Sequence, residues 1–163
     1  MIDIEKLTAL AIAYDAGDAK RIQHFCKVHS YAKLIAETEN VDKKCLFIIE
    51  TAALTHDIGI HFCEEKYGNC NGKLQEQVGP AIAEWLLEKL GFEQEISDRV
   101  QYLIAHHHTY NDINEIDYQI LVEADFLVNI MEDGLSKEAA LKAYHNIFKT
   151  ACGKTICREM FNI

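Results

Sequence analysis

Apolar residues recur at three- and four-residue steps along nearly the whole chain, while strict alternation is almost absent. Such steps stack side chains along one stripe of a 3.6-residue helix, so the pattern predicts an all-α protein. The predicted helices cover about residues 3–14, 19–38, 43–57, 74–90, 93–108, 116–132 and 136–148, giving a bundle of about six or seven helices. Glycines at 17, 59, 68, 72, 91 and 134 fall between or at the ends of these segments, where a left-handed cap or a turn is favoured. The polar stretch 60–73, "IHFCEEKYGNCNGK", reads as the main loop, and the final "TACGKTICREMFNI" is ambiguous between coil and a short last helix. With 163 residues and no repeat or linker, the expectation is a single domain over 1–163 with its core at about 19–130.

Three polar positions interrupt the apolar stripes. In 43–57, Cys45, Leu46, Ile49, Ala52, Ala53 and His56 share a stripe, so His56 continues a buried face. Asp57 follows about 100° further round at the helix end, where the macrodipole is negative and a carboxylate needs something positive. His24 shares a stripe with Val28, Tyr31, Ala32 and Ile35; His29 shares the adjacent one with Phe25, Ala32 and Ala36 and competes with it. Either histidine is also readable as a core residue bonded to a carbonyl. Asp125 aligns with Leu121, Val122 and Val128 in the most apolar segment, and no basic residue lies between Arg99 and Lys137 to neutralise it. Burying an unpaired carboxylate costs several kcal/mol. One arrangement satisfies all three anomalies: His24, His56, Asp57 and Asp125 converge on a divalent metal ion. This mixed nitrogen and oxygen set suits Mn, Fe, Co, Ni, Zn or Mg better than Cu(I), and leaves positions for water or substrate on a six-coordinate ion.

Composition narrows the function classes. A formal net charge of -10 with dispersed Lys and Arg offers no strip for a phosphate backbone, which argues against stable nucleic-acid binding. An anionic substrate would need a local reversal of that field, for which a bound cation is the simplest device. At 49% hydrophobic and 26% charged, the chain has the balance of a globular protein. Its apolar runs look too short for the roughly 20 residues of a membrane span, and its N-terminus lacks the basic start of a signal peptide. The expectation is therefore a cytoplasmic protein with no membrane partner. Cys26, Cys45, Cys63, Cys70, Cys152 and Cys157 form no C-x-x-C pair and read as reduced thiols, with Cys63 and Cys70 the pair placed to oxidise or bind metal.

In this order and in an all-helical chain, "RIQHFCKV", "AALTHDIG" and "LVEADFLVN" resemble the H...HD...D pattern of the HD-domain superfamily of metal-dependent phosphohydrolases, over about residues 19–130. The resemblance implies that His24, His56, Asp57 and Asp125 bind metal. It implies hydrolysis of a nucleotide or another small phosphorylated metabolite, with metal-bound water as nucleophile, and a homodimer is a further expectation. Binuclear relatives add a histidine after the doublet and a His-His pair before the final aspartate. In "VQYLIAHHHTYND", His107 and His108 continue the inner face of Leu103 and Ile104, while His106 points outward. In the implied mechanism Asp57 also orients the attacking water, and His107 or His108 bonds the phosphate or leaving oxygen.

The sequence departs from the binuclear pattern where Gln75, Glu76 and Gln77 stand in place of the additional histidine, so a second metal requires a substitute such as Glu76. Ile60 replaces the lysine of cyclic-dinucleotide phosphodiesterases, and their GYP segment is missing. Arg21 and Lys27 are readable as phosphate contacts or solvated residues, Tyr110 as a base-stacking or plain loop residue. Glu64 and Glu65 read as solvated, or one of them as a general acid. Because the superfamily also contains di-iron oxygenases, that activity and a nucleotide-binding module without catalysis stand as alternatives.

Overall fold

The computed structural model describes residues 3–163, and among these it contains nine helices and no strand. They are α1 (Ile4–Tyr14), α2 (Ala19–Thr38), α3 (Lys43–Thr55), α4 (Ile60–Tyr67), α5 (Gly72–Lys89), α6 (Gln94–Ile104), α7 (Ile116–Glu132), α8 (Lys137–Asn146) and α9 (Ala151–Phe161). Six begin at a side-chain cap: Asp3, Asp18, Asp42, Asn71, Ser136 and Thr150 each accept a hydrogen bond from a backbone N–H of the first turn. Each cap satisfies one of the donors that a helix start leaves unpaired.

The centre is α2 packed against both α3 and α7, with α6 also packed on α3. Val28, Ala32 and Ile35 of α2 meet Ile49, Ala52 and Ala53 of α3 and Leu121, Ala124 and Val128 of α7 in one continuous core. Burial of each larger aliphatic side chain contributes about 1.5–3 kcal/mol. The alanines let the helices approach closely, so the polar residues on the same stripes are drawn inward with them.

Several predicted boundaries are corrected. The helix expected over 43–57 ends at Thr55 and the one over 93–108 ends at Ile104, so His56 and His107 occupy the turns that follow. The loop expected over 60–73 contains α4. Only Cys63 of α4 is buried, which is why its composition resembles a loop, and Gly68 closes it at φ +74°, in the left-handed region. Between α3 and α4 the chain does not unwind: Ile58 N–H donates to Thr55 O at 3.1 Å and Ile60 N–H to Asp57 O at 3.0 Å. Asp57 thus lies at a junction between two helices. α9 resolves the ambiguous C-terminal stretch as helix, which with α4 raises the count above the expected six or seven.

The same continuity corrects the expectation about apolar length. Lys43–Tyr67 forms a 25-residue run whose most apolar window reaches a mean hydropathy of 1.2, but 61% of that window is buried inside the bundle. Its apolar surface is used by the core. The turn itself is pressed onto α5: a Cβ on Gly59 would lie 2.9 Å from the Gly79 backbone nitrogen, and one on Gly79 would lie 2.7 Å from Ile104 Cγ2. Neither position has room for a side chain.

A buried acid ties the C-terminal helices to the core. Glu123, 0% exposed on α7, accepts from Lys149 N–H at 2.6 Å, Thr150 N–H at 2.9 Å, Thr150 Oγ1–H at 2.5 Å and Gln119 Nε2–H at 2.7 Å. Its charge also faces the start of α9, where the macrodipole is positive. Replacing Glu123 with Ala leaves these donors unpaired, and chemical denaturation should show a loss of roughly 2–4 kcal/mol. Gly153→Ala should also destabilise, because its Cβ would sit 1.9 Å from Glu123 Oε2.

Asp15, at the end of α1, is 2% exposed, and burial raises its pKa to about 6 despite the Arg21 charge. Since the folded value exceeds the usual carboxylate value near 4, ionising Asp15 opposes folding, and stability attributable to it falls as pH rises from about 4 to 6. Asp15→Asn should raise stability by roughly 2–3 kcal/mol at pH 7, with the difference from wild type vanishing below pH 4. Thermal melts across that range read it.

Candidate metal centre

Four helices deliver polar side chains to one point. His24 comes from the first third of α2, Asp125 from the middle of α7, His56 and Asp57 from the α3–α4 junction, and His107 from the turn after α6. His24 Nε2 lies 3.3 Å from His56 Nε2, 3.3 Å from Asp57 Oδ2 and 3.1 Å from Asp125 Oδ1. His56 Nε2 lies 3.4 Å from Asp57 Oδ2 and 3.5 Å from Asp125 Oδ1. The structure therefore brings together all four residues expected as metal ligands. His29 lies elsewhere, bonded through Nε2 to Glu50 at 3.0 Å, which separates the two competing histidines.

Each converging histidine is aimed by its outer nitrogen. His56 Nδ1–H donates to Ala53 O at 2.9 Å, and His107 Nδ1–H donates to Ile104 O at 2.7 Å. Both carbonyls belong to the last turn of a helix, where no further N–H of that helix reaches them. His24 Nδ1–H donates to Glu132 Oε2 at 2.8 Å. All three rings then present the Nε2 lone pair inward, the arrangement that metal-bound imidazoles adopt. His107 Nε2 is buried without a hydrogen-bond partner, 3.5 Å from Asp57 Oδ1.

The remaining histidines differ. His106 Nδ1–H donates to Tyr102 O at 2.7 Å and its ring stacks on Tyr102 at 4.2 Å, away from the centre. His108 Nε2 pairs with Gln75 Oε1 at 2.8 Å, while Glu76 Oε1 accepts from His108 N–H at 3.0 Å and Thr109 Oγ1–H at 2.9 Å. Glu76 thus holds the histidine turn in place and joins neither group of converging donors. Those groups are His24, His56 and Asp57, and Asp57, His107 and His108, with Asp57 common to both.

The electrostatics follow from burial. Asp125 is 4% exposed and His56 0%. Burial disfavours charge on His56, but the Asp57 carboxylate and hydrogen bonds to Asp125 and Asp57 outweigh it and hold the imidazole well above its usual pKa. Burial likewise opposes ionisation of Asp57 and Asp125, yet the histidine charges and hydrogen bonds keep both below the carboxylate range. For His24, bonding to Asp125 overcomes burial and raises the value. His108 goes the other way, to about 4, through burial and the neighbouring His107.

These donors fit a divalent ion. Their separations of 3.1–3.5 Å are about those of neighbouring ligands around an ion bound at roughly 2.0–2.2 Å, and the unpartnered His107 nitrogen belongs to the second group, with Asp57 and His108. Alongside lies a cavity of about 640 Å³ lined in part by His24, Asp57, His108 and Asp125. Lys20 and Arg21 also line it. Arg21 is only 11% exposed, with Nη2 3.2 Å from Glu64 and Nη1 3.2 Å from Asp18, so it is not a solvated residue. Lys27 pairs with Glu132 at 2.6 Å, and Tyr110 packs edge-on against Phe126 at 5.0 Å and does not line the cavity.

Glu132 escaped the sequence reading. Its signal was its place seven residues, two turns, after Asp125 on the same face of one helix.

Comparison with known proteins agrees with the fold. The structure is similar to the crystal structure of a predicted HD superfamily hydrolase from an uncultured Thermotogales bacterium, at 25% sequence identity and a TM-score of 0.66, covering 98% of this chain and 83% of that one. No match was found among curated proteins. The family model for the HD domain matches residues 21–149. That span contains every residue of the converging centre, and the chain belongs to the HD domain family.

Proposed function

We propose that the protein is a metal-dependent phosphohydrolase acting on a nucleotide or another small phosphorylated metabolite. His24, His56, Asp57 and Asp125 hold the ion in this reading. The observation that carries it is the convergence of inward-facing imidazole nitrogens and buried carboxylates beside an open cavity. When bound, a divalent ion supplies a water whose pKa drops from 15.7 toward about 7 and a Lewis acid for a phosphoryl oxygen.

The chain's own groups divide the remaining work. Asp57 faces both donor groups and is placed to orient the water nucleophile. His108 lines the cavity and takes the role of bonding the phosphate or the leaving oxygen. His107, 1% exposed and aimed at Asp57, serves this reading better as a donor to a second ion. Arg21 and Lys20 are the cationic groups placed to meet a substrate phosphate from the cavity wall.

The hydrolase reading is supported by the likeness to a predicted HD superfamily hydrolase. The second donor group favours keeping a di-iron oxygenase as the other reading, since two ions sharing one carboxylate suit either chemistry.

Protein stripped by a chelator should show no turnover against phosphomonoesters, dinucleoside polyphosphates and cyclic nucleotides, and a divalent ion should restore it. His56→Ala and Asp125→Ala should lose bound metal and fall to the uncatalysed rate. Elemental analysis on the same samples gives the stoichiometry. Absence of turnover with every substrate and ion overturns the proposal, while two irons per chain with oxygen uptake would favour the oxygenase.

A further inference from the structure

The converging histidines face one shared problem. An imidazole that offers Nε2 to an ion must keep its proton on Nδ1, and something outside the centre must accept that proton. His56 and His107 solve it with carbonyls three residues back, at helix ends. His24 has no such recourse. It is the sixth residue of the 20-residue α2, where neighbouring carbonyls already accept intrahelical bonds. Its acceptor has to come from another element.

We propose that Glu132 is the positioning residue that fixes His24 for metal binding; the inference rests on the reading of His24 as a ligand. Glu132 belongs to the last turn of α7, two turns beyond Asp125, so one helix face carries both an inner carboxylate and the carboxylate that aims a ligand on α2. Its Oε2 accepts from His24 Nδ1–H at 2.8 Å, while Oε1 meets Lys27 Nζ at 2.6 Å. Lys27 lies one turn after His24 on α2, so the carboxylate is clamped between two residues of that helix.

The clamp has two effects. A carboxylate acceptor makes the imidazole a better electron donor than a backbone carbonyl does, so the bond to Glu132 strengthens His24 as a ligand. Lys27 also holds the carboxylate's second oxygen, at 2.6 Å. Glu132 lines the same cavity as Asp125, and unclamped it would be free to turn inward and compete as a ligand itself.

Metal affinity tests this without any substrate. Calorimetric titration of the metal-free protein with Mn²⁺ or Co²⁺ should show Glu132→Ala binding about 10–100-fold more weakly than wild type. Glu132→Gln, whose amide oxygen still accepts the Nδ1 proton, should lose less. In a His24→Ala background Glu132→Ala should have no further effect, because the residue it aims is gone. The visible absorption of the Co²⁺-loaded protein should shift in Glu132→Ala. Circular dichroism of the metal-free proteins checks folding, and if Glu132→Ala does not fold, the isosteric Gln variant is read instead.

Wild-type affinity in both variants overturns the proposal. So does Glu132→Gln binding as weakly as Glu132→Ala, which would mark Glu132 as a direct ligand, or an undiminished effect of Glu132→Ala in the His24→Ala background. Wild-type protein that binds no divalent ion defeats the metal reading itself, and this inference with it.

Discussion

Two carboxylates of like charge, Asp57 and Asp125, occupy the interior of a helical bundle, and the charged partners they meet are histidines. Asn129 adds a neutral donor to Asp125 at 2.8 Å. A buried carboxylate without compensation costs several kcal/mol, so positive charge at this point is a condition for the packing of α2, α3 and α7. Protons on the imidazoles can supply it, and so can a divalent ion that replaces them. The nitrogen and carboxylate donors that stabilise one alternative also stabilise the other. A fold that tolerates this cluster is therefore already poised to exchange protons for metal.

The local solution depends on ending helices early. α3 stops one residue and α6 three residues before a histidine of the centre, and in each case the imidazole bonds back to a carbonyl of the last turn. A helix end leaves carbonyls unpaired, a cost that a side-chain donor offsets. Here that same bond also sets the ring's orientation. The two ends are held in register through α5: Gly59 lies against the backbone of Gly79, and Gly79 lies against the side chain of Ile104, the last residue of α6. Side chains at either glycine would push the two histidine turns apart.

Much of this was legible in the sequence because helical stripes are arithmetic. His24, His56 and Asp125 sit on stripes of residues that the core buries, and the stripe predicts burial wherever the helix packs. His24 and His29 occupy adjacent stripes, so periodicity could not separate them; the separation comes from Glu50 on α3, which captures His29. The helix α4 was hidden for the opposite reason. With Cys63 as its one buried residue, it carries almost no periodic signal, and it forms as a continuation of α3. Glu76 was read as a possible ligand from its position alone, whereas its geometry makes it the acceptor that fixes the His108 backbone. The bonds from Glu132 to His24 and from Glu123 to Thr150 join residues 108 and 27 positions apart, beyond any local pattern.

Charge sets the last constraint on what such a cavity can hold. A chain with a formal net charge of -10 repels anions at long range, and this cavity carries Asp18, Glu64 and Asp133 as well as the acids of the centre. Arg21 does little to reverse that field, because Asp18 and Glu64 lie within 3.2 Å of its guanidinium and Asp15 within 3.9 Å. Lys27 is likewise committed to Glu132. Besides Lys20 on the cavity wall, attraction for a phosphoryl group would then have to come from the point where the carboxylates and imidazoles converge, over a few ångströms where salt does not screen it. Such a cavity would bind an anion chiefly through its metal content, and metal loading would govern substrate affinity as well as chemistry.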